Sequence, residues 1–228
     1  MFVHSIEEIK CLRALWDSFS REWKVVLKSN IFNWFNEEQY KIWTRNYDYN
    51  NIRTENWEEE PWYNHEYILT DEELQKIFRI KYLSTVIGDA TPWGGSEYTP
   101  NIDLSILRFF NNLEYLDISC FASGEFNEWI AKCPVLPCIG YLRCSFDNIR
   151  DISFIPKLFP NVRVIICTDN SIDNIDALNC LKIMALDCRD NKLSRESIVR
   201  FYKYHPFCIV DHNFDNGIKI GDTFELNK

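Results

Sequence analysis

Apolar residues recur along this chain in two different rhythms. In the first thirty residues Ile9, Leu12, Trp16, Phe19 and Trp23 fall three or four apart, the spacing that gathers side chains on one face of a helix. Ser5 and Glu8 precede most of them in the S-x-x-E arrangement of a capping box, so a helix or helix pair is predicted over about 5–28. Asn36 and Gln39 offer the start of another short helix carrying Tyr40 and Trp43. Thr70 and Glu73 repeat the capping signal ahead of Leu74, Ile77 and Phe78. Between these helices, residues 44–69 are Asn-rich, acidic and aromatic, and Pro61 argues against a long helix there. Trp57, Trp62 and Tyr63 in this stretch have two readings: cover laid over the edge of the second half of the chain, or candidate loop contacts with a partner, since Trp and Tyr dominate binding hot spots.

From about residue 77 the rhythm changes. The order L-x-x-L-x-L-x-x-N-x-L occurs three times with few departures: Ile139, Leu142, Cys144, Asp147 and Ile149; then Val162, Ile165, Cys167, Asn170 and Ile172; then Ile183, Leu186, Cys188, Asn191 and Leu193. The steps from Leu142 to Ile165 and from Ile165 to Leu186 are 23 and 21 residues, inside the roughly 20–29 residue period of a stacked strand repeat. A looser copy has Leu113, Leu116 and Ile118, with Phe121 where Asn belongs. A weaker one begins at Ile80 and Leu83. A degenerate last copy lies near Phe207 to Val210, where Ile209 stands 23 residues after Leu186.

One such unit cannot bury its apolar flank alone, so successive units must stack, each giving a short strand to a parallel sheet. The Asn position turns the chain out of the strand, and its amide can satisfy backbone groups in neighbouring turns. Asp147 accepts hydrogen bonds there but cannot donate when ionised, which predicts a weaker turn. Leu104, Leu107 and Phe110, then Ile152, Ile155 and Leu158, then Ile175, Leu178 and Leu181 mark short return segments on the other side. Ser194 caps a longer helix to about Tyr204, with Ile198, Phe201 and Tyr202 on one face. Ile218, Ile220 and Phe224 suggest a closing strand pair in the tail. The predicted division is a helical, aromatic-rich cap over 1–76 and a repeat domain over 77–228.

The phrases LEYLDIS (113–119), VRVIICTDNSI (162–172) and IMALDCRDNKL (183–193) resemble the bacterial leucine-rich-repeat proteins, especially the short-repeat type of internalin-like domains, over about 77–210. The resemblance implies an α/β leucine-rich-repeat solenoid with parallel strands on a concave face, here with an α-helical N-terminal cap. It also implies recognition of another protein across that face; some antitoxin-like immunity proteins use such scaffolds. The N-terminal region departs from the secreted internalin pattern, because no signal peptide is visible.

Residues between the template positions point outward on the concave side. Tyr115 and Asp117, Tyr141 and Arg143, Val164 and Ile166, and Asp187 and Arg189 are therefore the candidate partner-binding residues, with Ser119, Ser145, Thr168 and Ala185 extending the rows. The exposed aromatic and β-branched members could form an interaction patch, or the N-terminal region could pack over them.

Composition narrows the chemistry. The formal charge of −9 lacks the basic footprint of a nucleic-acid binder and permits a basic protein partner. No apolar run approaches the roughly 18–20 residues of a membrane span. Nine cysteines, an odd number at apolar pattern positions, read as reduced thiols, and a cytoplasmic location follows. Cys144, Cys167 and Cys188 share one template slot and form a buried thiol ladder. Cys133 and Cys138 lack the second ligand pair that zinc needs. His4, His65, His205 and His212 are scattered, and no nucleophile motif or phosphate-binding glycine loop occurs. Catalytic residues, metal and cofactor are accordingly expected to be none. The function expected is a non-catalytic protein-binding module, as an immunity-type inhibitor that occludes a toxin or effector, with its oligomeric state open. A cytoplasmic scaffold or adaptor, or an enzyme with an unrecognised site in the N-terminal half, are the alternatives.

Overall fold

The structure is a computed structural model, and it describes residues 6–32, 66–88, 97–121 and 126–213. The predicted helix starting at Asn36 and Gln39, the loop aromatics Trp57, Trp62 and Tyr63, the Ser5 cap and the closing strands at Ile218–Phe224 lie outside the described residues.

The N-terminal periodicity resolves into two helices, α1 (Ile6–Ser18) and α2 (Arg21–Phe32). Trp16, Phe19 and Trp23 are buried, while Ile9 and Leu12 are half-buried. A third helix, α3 (Asp71–Ile77), carries the full capping box: the Glu73 N–H donates to Thr70 Oγ1 and the Thr70 N–H to the Glu73 carboxylate. Phe19 packs among Phe78, Phe109 and Phe110, with ring centroids about 6 Å apart. The Trp23 Nε1–H donates to the Asp103 carbonyl at 2.9 Å, so burying that indole leaves no unmet donor.

The repeats form one six-stranded parallel sheet in chain order: β1 (Tyr82–Ser84), β4 (Tyr115–Asp117), β5 (Tyr141–Arg143), β6 (Val164–Ile166), β7 (Ala185–Asp187) and β8 (Ile209–Asp211). A short antiparallel pair, β2 (Ile87–Gly88) and β3 (Glu97–Tyr98), comes between β1 and β4. The fold is an α/β leucine-rich-repeat solenoid with helices at its N-terminal end. Leu83, Leu116, Leu142, Ile165, Leu186 and Val210 sit in register on successive strands. All but the half-buried Val210 have essentially no exposed surface. Burying one such side chain contributes about 1.5–3 kcal/mol, which is why no strand is stable without its neighbours.

The return segments are short, as their brevity predicts. They are 3₁₀ turns at Leu104–Phe109 and Asp176–Cys180 and single helical turns α4 (Phe126–Ile130) and α5 (Phe154–Leu158). The exception is α6 (Arg195–Tyr204), whose first turn is capped by Ser194 Oγ accepting from the Ser197 N–H. A single apolar cluster runs from Trp16 through Leu142 to Cys208, joining the helices to the repeats.

The last rung differs by one residue from the sequence reading. Val210, not Ile209, pairs with Leu186, and Ile209 pairs with Ala185 on the opposite face, 64% exposed. Because side chains alternate along a strand, that single step moves Ile209 out of the core and onto the concave surface.

The turns after the strands repeat as well. Cys120, Phe146, Asp169 and Asp190 each adopt positive φ, between 54° and 64°. The next position is the template Asn slot, filled by Asn170 and Asn191 in the last two of these turns. Asn170 Oδ1 accepts from the Asp147 and Ile149 N–H groups, and its Nδ2 donates to the carbonyls of Cys144, Cys167 and Thr168. Asn191 does the same one rung on, accepting from the Ile172 N–H and donating to the Cys167, Cys188 and Arg189 carbonyls.

Asp147 fills this slot in the rung before. Its Oδ1 accepts from the Phe121 N–H at 2.6 Å, and its buried Oδ2 has no hydrogen-bond partner among the described residues. Burial pushes its pKa up to about 8. At neutral pH the group is therefore mainly a carboxylic acid with a proton to donate, unlike the ionised acceptor read from the sequence.

Candidate protein-interaction face

The pairing register lines the outward strand residues into two straight rows. One runs Tyr82, Tyr115, Tyr141, Val164, Ala185, Ile209; the other runs Ser84, Asp117, Arg143, Ile166, Asp187, Asp211. Seven of the eight candidate strand residues fall on these rows. Arg189 lies two positions beyond Asp187, just past the end of β7.

The rows are not uniformly open. Tyr115 and Asp117 were expected on the surface, but they are buried, Asp117 to 3% exposure. Tyr141, Arg143, Val164, Ile166, Ala185 and Asp187 are half-buried, and Arg189, Ile209 and Asp211 are exposed. Tyr82 on β1 is also exposed, at 41%, so the buried pair on β4 interrupts the rows, and beyond it exposure increases from β5 toward β8. Tyr115 lies between Tyr82 and Tyr141, with ring centroids 5.9 and 4.4 Å away. Parallel strands place equivalent side chains on adjacent rungs, so like rings meet: Tyr115 and Tyr141 are stacked, and Tyr82 is tilted at 42° to Tyr115.

Asp117 is held where a free carboxylate would be costly. Its Oδ1 accepts from the Ser119 N–H at 3.0 Å; its Oδ2 lies 3.4 Å from Ser84 Oγ and 3.7 Å from Arg143 Nη1. Burial raises its pKa, against the opposing pull of Arg143. Arg143 is thus tethered under the face, and its buried Nε has no hydrogen-bond partner among the described residues. At the other end Arg189 makes a two-pronged contact with Asp187, at 2.9 and 2.7 Å, and lies 3.6 Å from Asp211.

Phe146, on the turn that follows β5, is an exposed aromatic that was missed in the sequence. It stands at φ 64° and is 53% exposed, on the turn where the next two rungs place Asp169 and Asp190. Asp tolerates left-handed backbone more readily than a bulky aromatic. An aromatic immediately before Asp147, where the later copies have Asp before Asn, was the available signal.

Among the described residues no three His, Cys, Asp or Glu side chains are grouped to hold a metal ion, and no helix is long and apolar enough to cross a membrane. Cys144, Cys167 and Cys188 are buried one above another, as the shared template slot predicted. Burial raises Cys144 and Cys167 well above the ordinary thiol value and pushes Cys188 up to about 12.

No protein-family profile matches the chain, and no curated protein matches it in sequence. Among solved structures, an internalin C2 from Listeria monocytogenes is similar at 22% identity, over 49% of this chain and 46% of the internalin, with a TM-score of 0.37. The match thus spans less than half of the internalin's length. What assigns the fold is the six-rung register itself: successive units of the chain build a leucine-rich-repeat-type solenoid.

Proposed function

We propose that this protein is a non-catalytic binding module whose partner is another protein lying across β5 to β8, and that its role is to occlude a toxin or effector in the manner of an immunity protein. The observation that carries this reading is the half-buried patch of Tyr141, Val164 and Ile166 across the two rows, with the exposed Phe146 on the turn after β5 and with Arg143, Asp187 and Arg189 beside it. An apolar centre with a charged rim is the usual anatomy of a protein interface. The charge of −9, with Asp169, Asp187, Asp190 and Asp211 around the open end, favours a basic partner. Tyr115 and Asp117 act from beneath, fixing Tyr141 and Arg143; a direct contact is reserved for the residues from β5 onward.

Occlusion is tested by co-expressing the chain with a toxic protein encoded beside it. Restored growth, lost on Tyr141→Ala together with Ile166→Glu while the variant stays folded, supports the reading. Binding without restored growth favours an adaptor, and restored growth untouched by the double substitution removes this face from the role.

A further inference from the structure

Away from the strand face, α1, α2 and residues 66–69 line a partly open recess of about 580 Å³. In a chain of net charge −9 its wall has the opposite sign: Arg13, Arg21, Lys24 and Lys28 face it, against the carboxylates of Asp17 and Glu66. The sequence spacing makes this wall. Arg21, Lys24 and Lys28 are three and four residues apart and share one side of α2, while Arg13 and Asp17 do so on α1.

Contacts with the chain set Arg13 and Lys24 in place. Arg13 Nη2 donates to the Leu69 carbonyl at 3.2 Å and pairs with Asp71. Lys24 Nζ donates to the Asp17 carbonyl at 3.2 Å and lies 5.8 Å from the Trp16 ring centroid. Lys28 is 3% exposed. Burial first, and then the like charge of Lys24, draws its pKa down. Four cationic side chains thus line one recess alongside two carboxylates, so an anion entering it meets more positive than negative charge. Two guanidinium groups beside two ammonium groups suit phosphate, which accepts forked hydrogen bonds from Arg and point-charge contacts from Lys. The volume suits a ligand of mononucleotide size.

We propose that this recess binds a small phosphate ester or polyphosphate anion. Such binding is independent of the strand face and of any partner held there. The nucleoside-phosphate, inorganic and sugar-phosphate forms share the chemistry and are separated by the test.

Titration calorimetry and thermal unfolding on the full chain at low salt would use ATP, pyrophosphate and glucose 6-phosphate, with citrate and sulfate as non-phosphate comparators. At least one phosphate compound should bind with a Kd below about 100 µM and raise Tm, weakening as salt is added. Lys24→Gln should weaken binding by about tenfold or more while leaving unliganded Tm near wild type, and Arg21→Gln should do likewise. Tyr141→Ala should leave this binding unchanged. The proposal is overturned by no saturable binding of any phosphate compound, by citrate or sulfate binding equally well, or by unchanged affinity in Lys24→Gln.

Discussion

Asn30 completes the edge of the sheet by holding both backbone groups of Ser84: its Nδ2 donates to the Ser84 carbonyl at 2.8 Å, and its Oδ1 accepts from the Ser84 N–H at 2.9 Å. Both residues are buried. A single carboxamide thereby does for β1 what an adjoining strand would do, and α2 closes the amino end of the stack without a further strand.

Asn30→Ala should therefore leave a buried donor and acceptor unmet and cost about 2–4 kcal/mol. Asn30→Asp keeps the acceptor and loses the donor, so a similar loss is expected near neutral pH. Equilibrium urea unfolding measures both, and a change under half a kcal/mol would mean that the edge is satisfied some other way.

The Asp147 turn should make stability depend on pH. Its folded pKa, raised to about 8, lies above that of a carboxyl in the unfolded chain, about 3.9. Between those values the folded state holds the proton more tightly. The contribution is fully present at the acid end and is lost as pH rises toward 8. Asp147→Asn supplies the donor at every pH, as Asn170 and Asn191 do. It should match wild type near pH 4, exceed it by roughly 4 kcal/mol at pH 7 (about 1.4 kcal/mol for each pH unit above the unfolded pKa), and flatten this part of the profile. Unfolding midpoints at a series of pH values decide it.

The one-residue register of the last rung can be read from two substitutions. Ile209→Ser changes an exposed side chain and should alter stability by less than about 0.5 kcal/mol. Leu186→Ala empties a buried site on the neighbouring strand and should cost about 2–5 kcal/mol. Comparable losses at both positions would contradict the pairing of Val210 with Leu186.

The cysteines should divide by reactivity. Cys11, Cys138 and Cys180 are exposed, whereas Cys144, Cys167 and Cys188 are buried with raised pKa values. Brief alkylation of the native protein at pH 8, then peptide mapping, should label the first three and spare the second until denaturant is added.

The middle of the molecule was the most legible part of the sequence. Leu142, Ile165 and Leu186 recur at nearly constant distance, and the amides of Asn170 and Asn191 announce the turns between them. The final rung was misread because Phe207 and Ile209 alternate as a strand's core face does, and only the pairing shows that Cys208 and Val210 are the inner pair. Asn30 was silent because a polar residue inside a helix carries no sign of a partner 54 positions away. The burial of Tyr115 and Asp117 was equally hidden, since strand alternation tells which way a side chain points and not what lies above it. Phe146 left a local trace, an aromatic before the turn acid, that the template did not weigh.

The turn amides run in one direction. Asp147 serves the Phe121 N–H, Asn170 serves Asp147 and Ile149, and Asn191 serves Ile172, so each of these loops borrows its fastening from the next unit along the chain. A shortened molecule trimmed from its carboxyl end would strip the support from the loop left behind at each cut, whereas removing early units orphans none of these later fastenings. Anyone lengthening or splicing such an array should place the joint so that a carboxamide is always waiting on the downstream side.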